Sequence, residues 1–428
     1  MLATAATPDL KAALAKAQAD YETFRARGLK LDMTRGKPAP EQLSLSDAML
    51  TLPGNGDYSS EAGDDTRNYG VLQGLAEVRA LFAPMLQSPP EQIFVGDNSS
   101  LGLMHDTIVW ALLKGVPGGA KPWKDEKIAF LCPVPGYDRH FAICEQYGIE
   151  MIPVAMNPDG PDMDEVESLV ADPRVKGMWC VPKYSNPGGE IYSDETARRL
   201  AAMCAGAPDF RLFWDNAYSV HHLTATKHKV ADILALSAEA ENPDRAFVFA
   251  STSKVTMAGS GLAFFASSPA NVKWFMGRAF FRTIGSDKVN QLRHLRFFRD
   301  WAGLERHMDA HRALIAPKFA AVQTHLEKRL GGTGLARWSK PDGGYFITVD
   351  ALDGTAKRIV ELAKAAGVAL TPAGSTSPKG IDPHDRTLRL APTFPSLADV
   401  TTASEVIAIC IELAGLEILL RQREEKAA

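Results

Sequence analysis

The chain has 428 residues, of which 46% are hydrophobic and 23% charged, and its formal net charge is -4. That length is enough for a large buried core and more than one lobe. The charge balance gives no electrostatic reason to expect nucleic acid or an anionic membrane as partner. The five cysteines (Cys132, Cys144, Cys180, Cys204 and Cys410) lack paired metal-ligand spacing and read as reduced thiols of a cytosolic protein.

Residues Pro8 to Gly28 have the spacing of an amphipathic helix, and Asp9, Lys11, Lys16, Asp20 and Glu22 interrupt any secretory apolar run. Leu31 to Pro40 is turn-rich and reads as a loop or extended segment, and the polar Asp57 to Thr66 as a passage between lobes. Short β-rich runs then alternate with helical patterns: Ile93–Val95, Lys127–Cys132, Ile149–Val154, Val175–Val181, Phe210–Trp214, Ala246–Ala250 and Leu262–Ala266. The intervening segments include Leu101–Leu113, Asp138–Tyr147 and Asp194–Ala205, with Ser100 and Ser193 as capping residues. Such alternation predicts an α/β fold, a mostly parallel seven-stranded sheet covered on both faces, with ligands at the carboxyl ends of its strands.

His307–Leu330 predicts a long helix. A smaller α+β lobe follows: a strand over Gly344–Val349, a helix over Thr355–Ala366, and strands near Val368–Leu370 and Thr387–Leu390. The longest apolar stretch, Val406 to Leu420, carries Glu412 and Glu417 and is too short to span a bilayer, so it reads as a packed C-terminal helix. The expected division is 1–56 as a segment serving the small domain and the site entrance, 57–320 as the large domain, and 321–428 as the small domain.

The chemistry centres on Ser251-Thr252-Ser253-Lys254, at the end of the run Ala246–Ala250. A lysine amine there can hold an aldehyde cofactor as a Schiff base and then act as a base, and Ser251 and Ser253 can donate to a phosphate. Asp215 follows an aromatic strand-like run. A buried carboxylate needs a partner, and a pyridinium N–H would serve, making the ring an electron sink. Tyr218 and Asn186 can donate to the phenolate oxygen of such a cofactor. Asn98-Ser99-Ser100 opens a helix directly after a strand, where backbone N–H groups and the helix dipole favour a phosphate, although a plain helix cap is the simpler use. Tyr137 can stack on a flat ring. Arg389, inside an apolar strand-like run, needs an anion and matches a carboxylate, from a ligand or from the chain. His105, His140, His221, His222 and His294 lack metal-site spacing and read as packing, surface or supporting residues; no metal is expected.

The ordered set Arg67-Asn68-Tyr69-Gly70, Gly74, Arg79, Asn98-Ser99-Ser100, Pro135-Gly136-Tyr137, Asn186-Pro187-Gly188-Gly189, Asp215 with Tyr218, Ser251–Lys254, Gly343-Gly344-Tyr345-Phe346 and Arg389 runs through nearly the whole chain. In this set the chain resembles the class I/II aminotransferases of pyridoxal-phosphate (PLP) fold type I, most closely the subgroup Ic bacterial aspartate aminotransferases. The resemblance implies Lys254 as the PLP lysine and proton carrier, Asp215 as pyridinium partner, and Tyr218 with Asn186 as donors to the ring oxygen. It implies Tyr137 stacked on the ring, Ser99, Ser100 and Ser251 on the phosphate, and Arg389 on the substrate α-carboxylate, with Gly36 and Lys37 near the entrance. Tyr69 would reach the phosphate of a second subunit's cofactor, making the active unit a homodimer.

The chain departs from the family at Gly259-Ser260-Gly261-Leu262, where an arginine usually grips the phosphate. Lys288 and Arg35 are candidates to replace it, and Arg139, Lys288 and Arg293 are candidates for a substrate's side-chain carboxylate. The implied function is transamination between aspartate and 2-oxoglutarate in the cytoplasm, by ping-pong half-reactions. Alternatives on the same scaffold are an aromatic or broad-range aminotransferase, a β-lyase, or a PLP-binding sensor module.

Overall fold

The computed structural model describes Leu2 and residues 5–427. The first helix spans Thr7–Arg25, and Leu31–Asp32 is a short strand, β1. The large domain then carries β2 (Ile93–Val95), β3 (Ala129–Val134), β4 (Glu150–Asn157), β5 (Gly160–Pro161), β6 (Val175–Cys180), β7 (Arg211–Asp215), β8 (Ala246–Ser251) and β9 (Ala263–Ala266). These form one eight-stranded sheet in the order β2-β9-β8-β7-β6-β3-β4-β5. Strands β4, β3, β6, β7 and β8 are parallel to their neighbours in that series, whereas β9 is antiparallel to both β8 and β2. Each of the expected runs is a strand of this sheet. The additional strand, β5, pairs antiparallel with β4 through only Met156↔Pro161 and Asn157↔Gly160, too short to leave a periodic signal.

The central strands β6, β7 and β8 are buried on both faces. Along β7 and β8, Leu212, Trp214, Val248 and Ala250 enter one apolar cluster, while Phe213, Phe247 and Phe249 enter another on the opposite face. Alternation of side chains along a strand produces this split, and it also sends Asp215 to the side away from Trp214. Helix ends are set by local caps. Ser193 accepts from Thr196 N–H at 3.0 Å at the start of Asp194–Ala202. Ser100 is the expected cap of the earlier helix Ser100–Lys114, but Ser99 takes that role. Its extended backbone (φ -130°, ψ 111°) leaves Ser100 as the first helical residue, and its Oγ accepts from Gly102 N–H at 3.1 Å.

The smaller lobe contains β10 (Ala336–Trp338), β11 (Ile347–Ala351), β12 (Val368–Ala369) and β13 (Thr387–Leu390). Strands β10, β11 and β13 form an antiparallel sheet, and β12 pairs parallel with β1, Leu31 opposite Val368. The expected strand over Gly344–Val349 begins only at Ile347, because Gly344 is a turn residue with φ +83° whose N–H donates to His221 O at 2.8 Å. The C-terminal helix Leu397–Ala427 lies in the core of this lobe, and Leu10, Ala17, Tyr21 and Met33 of the N-terminal segment join the same cluster.

One helix, Trp301–Leu330, belongs to both lobes. It begins ahead of the expected His307 because Asp300 caps it, accepting from Gly303 N–H at 2.7 Å. Leu304 and Met308 pack in the large-domain core, while Ile315, Phe319, Val322, Leu326 and Leu330 pack in the small one. The division at residue 320 therefore falls inside a continuous helix. Among the described residues, no helix is long and apolar enough to cross a membrane.

Candidate active site

Strands β2, β3, β6, β7 and β8 share one direction, so their carboxyl ends lie along one edge of the sheet. Asp215 closes β7, and Tyr218 lies in the turn behind it. Lys254 follows β8, Tyr137 follows β3, Asn186 follows β6, and Asn98-Ser99-Ser100 follows β2.

Asp215 is buried at 3% exposure. His140 Nε2 donates to its Oδ2 at 3.1 Å, and the His140 ring lies flat on Trp179, with centroids 4.2 Å apart and planes at 7°. Oδ1 is buried and has no hydrogen-bond partner. An unpartnered buried carboxylate oxygen costs about 1–3 kcal/mol or more, so the position calls for a donor, best a cationic N–H.

The Lys254 ammonium sits over the Tyr218 ring, 5.1 Å from its centroid. Burial pulls the amine below its ordinary value and Asp215 partly restores it, so the free base is within easier reach than in a surface lysine. Burial also holds the Tyr218 phenol well above its ordinary range, and it pushes Tyr137 up to about 12, with Asp215 adding to the effect. Both phenols therefore remain protonated donors at neutral pH. The Lys254 backbone is held by groups the sequence did not single out for it. His221 Nε2 donates to Lys254 O at 3.3 Å and Tyr345 Oη donates to it at 3.4 Å, while His307 Nε2 donates to Val255 O at 2.7 Å. Buried Gln42 ties these together, its Nε2 lying 3.0 Å from Tyr345 Oη and 3.1 Å from His311 Nδ1. No local motif announces such a network, because its members lie up to hundreds of residues apart.

A cradle of small polar groups adjoins the lysine. Ser251 Oγ donates to Ser253 Oγ at 3.1 Å, Ser253 Oγ donates to Asn98 O at 3.1 Å, and Asn98 Nδ2 donates to the carbonyls of Ala258 and Gly259 at 3.4 Å. The start of the helix Ser100–Lys114 faces the same loops, and its first N–H groups suit an anion. Ser99 Oγ is engaged as the cap, which leaves its backbone N–H and the Ser100 hydroxyl for a ligand.

Arg389 lies on β13 opposite Thr348 and is buried at 8% exposure. Its Nη1 donates to Asp138 Oδ1 at 3.3 Å and to Asn186 Oδ1 at 3.5 Å, its Nε has no partner, and its Cζ stands 4.9 Å above the Phe346 ring. The fork is thus half-used. Gly36 reaches this group indirectly, by packing on Phe346: a Cβ added to Gly36 would lie 2.6 Å from Phe346 Cε1. Lys37 is exposed and caps the Phe394 ring, Nζ 3.8 Å from its centroid.

The remaining candidates are spread around the rim. Tyr69 is 81% exposed. Lys288 is buried and donates to Gly70 O at 3.1 Å. Arg293 donates to Leu52 O at 2.8 Å and to Ser260 Oγ at 3.2 Å, so a guanidinium does reach the stretch that lacks the family arginine, already engaged by protein groups. Arg35 and Arg139 are exposed, and neither has an acidic partner among the described residues.

The fold and this edge of the sheet define an aminotransferase of PLP fold type I, with pyridoxal phosphate as cofactor. The residues fit that group: the orphaned Asp215 Oδ1 for a ring N–H, a poised lysine for the aldehyde, and a hydroxyl-lined helix start for the phosphate. Residues 2–423 match the family model described as aspartate amino-transferase, and the chain belongs to that family. It is 50% identical over 398 residues to an aspartate aminotransferase of Corynebacterium glutamicum, covering 93% of this chain and 92% of the relative. It is 54% identical over 407 residues to a putative aminotransferase of Mycolicibacterium smegmatis, covering 94% and 95%. A crystal structure of an aspartate transaminase from Corynebacterium glutamicum superposes with a TM-score of 0.96 at 47% identity, covering 98% of this chain and 99% of that one.

Proposed function

We propose that this aminotransferase moves the amino group of an amino acid, aspartate foremost, to 2-oxoglutarate in two ping-pong half-reactions. The observation that carries the reading is the single unpartnered oxygen of Asp215, aligned by His140 in the pocket that holds Lys254. The half-identity with a named aspartate aminotransferase supports aspartate as the donor.

Bound pyridoxal phosphate supplies an electron sink for the pair left behind when the substrate's Cα loses its proton. Asp215, held in place by His140, would keep the ring nitrogen protonated. Tyr218 and Asn186 hold the ring oxygen, Tyr137 covers the ring face, and Asn98, Ser99, Ser100, Ser251 and Ser253 receive the phosphate. Lys254 would anchor the cofactor, and its Nζ, once freed by the substrate amine, would carry the Cα proton to the cofactor's aldehyde carbon. Arg389 takes the α-carboxylate, exchanging Asp138 for the stronger two-point partner. Arg139, exposed and beside Tyr137, is the cation this chain offers to a side-chain carboxylate.

The working unit in this reading is a homodimer. Tyr69 (81% exposed) lies near Phe280 (66%), Phe281 (83%) and Ile284 (59%), because Lys288 fastens the Gly70 turn to the segment that carries them. Exposed apolar side chains of this kind suit a second copy, and Tyr69 would then reach the neighbour's phosphate. Five unpaired cysteines, four of them buried, suit the reducing cytoplasm. Steady-state rates for a panel of amino donors with 2-oxoglutarate test the proposal. Aspartate is expected to give the highest kcat/KM, and an aromatic or aliphatic donor preferred by tenfold would replace the reading with a different specificity.

A further inference from the structure

Behind the catalytic turn, on the opposite face of the sheet edge from Asp215, lies a separate cavity of about 440 Å³. Its volume falls within the range of about 300–1,000 Å³ found for small-molecule sites. None of Lys254, Tyr137, Asn186 or Arg389 lines it. The floor is apolar: Trp214, Val220, Leu304 and Met308 line it and are buried.

The polar side of the cavity carries an unbalanced charge. Two of its cations are neutralised within the chain, Lys227 by Glu305 at 2.9 Å and Arg312 by Asp309 at 3.0 Å. Two others, Lys183 and Lys229, have no acidic partner among the described residues. Lys183 is buried at 8% exposure, and its Nζ donates only to Ser219 O, at 2.6 Å. Burial, and then the charge of Lys229, pulls this amine down to about 8. Buried Lys183, held by one carbonyl and the Tyr184 ring 5.4 Å away, feels the charge of the exposed Lys229 beside an apolar floor, and an anion relieves both the repulsion and the desolvation.

We propose that this cavity is a second ligand site, for a small organic monocarboxylate with a flat apolar body, its carboxylate between Lys183 and Lys229 and its body on Trp214. The carboxylate supplies the missing counter-charge, and the apolar body uses the wall that inorganic phosphate or sulfate would leave bare. Because Lys183 grips Ser219, the residue after Tyr218, an occupant would rest against the turn that carries the catalytic phenol.

The test uses the PLP-loaded enzyme with 4-bromobenzoate as probe, by titration calorimetry and by the bromine anomalous signal in soaked crystals. The expected result is a bromine peak above Trp214 and binding at least tenfold weaker in both Lys183→Met and Lys229→Met. Lys229 is exposed, so its variant folds and carries the test if Lys183→Met does not. A bromine peak only beside Arg389, or unchanged affinity in Lys229→Met, overturns the proposal. Either result leaves the aspartate reading untouched, since that stands on the donor panel.

Discussion

Gly36→Ala puts a methyl group into a space that does not exist. The added Cβ would lie 2.6 Å from Phe346 Cε1 and nearer still to the ring tip, where ordinary contact needs 3.4 Å or more. The ring must retreat by about 1 Å, and overpacking of this kind costs about 1–3 kcal/mol. Phe346 cannot move alone, because Arg389 Cζ stands 4.9 Å above it and holds the position assigned to the substrate α-carboxylate. Two consequences follow from one displacement. Stability falls by about 1–3 kcal/mol, read by urea unfolding of the holoenzyme. Misplacing one charge-assisted hydrogen bond, worth about 1.5–3 kcal/mol, raises KM for the amino donor by about tenfold or more while kcat changes less. Steady-state kinetics with saturating 2-oxoglutarate separates the two parameters. A KM within twofold of the parent, in a variant of unchanged stability, would refute the link from Gly36 through Phe346 to Arg389.

Asp215→Asn removes the charge that keeps the ring nitrogen protonated and should lower kcat by at least about 10²-fold, the equivalent of one charge-assisted hydrogen bond of about 3 kcal/mol; single-turnover rates check this, and a loss below tenfold contradicts it. Asp138→Asn frees Arg389 from a partly exposed ion pair worth about 0.2–1 kcal/mol, so KM for the amino donor should fall by up to about fivefold; an increase in KM would mean that Asp138 positions the arginine instead. Glu190, half-buried beside Gly188, has its carboxyl pushed up to about 7 by burial and then by Asp350. The folded chain therefore keeps a proton that the unfolded chain releases near 4.5, and the resulting stability is full below that pH and lost as pH rises through 7. Glu190→Gln should stabilise the protein more at pH 8 than at pH 5, by about 1–3 kcal/mol; equal effects in urea titrations at the two pH values would be inconsistent with the burial argument.

The apolar β-runs were legible because a parallel strand buried on both faces is nearly continuously apolar, as Ala246–Ala250 is throughout and Phe210–Trp214 is but for Arg211. Asp215 and Lys254 were legible for the complementary reason, each being a charged residue just beyond such a run. What the sequence concealed depends on long-range geometry. His140 could be read as a supporting residue, but nothing near it in sequence points to Asp215, 75 positions away. Gly36 was expected at the entrance, and its actual contact, Phe346, is equally remote. The strand expected from Gly344 was misplaced because a glycine pair in an apolar stretch can be either strand or turn, and here the left-handed φ of Gly344 makes it a turn. The boundary expected at residue 320 cut the helix Trp301–Leu330, which runs on through Pro317 from one core into the other.

Transamination by this chain requires Asp215 to meet the ring nitrogen while Lys254 holds the same cofactor. A crystal structure of the PLP-loaded protein measures both at once. The expected result is Asp215 Oδ1 about 2.7–2.9 Å from the ring nitrogen, with density continuous from the cofactor into Lys254 Nζ. A ring nitrogen turned away from Asp215, or a cofactor unconnected to Lys254, would contradict it.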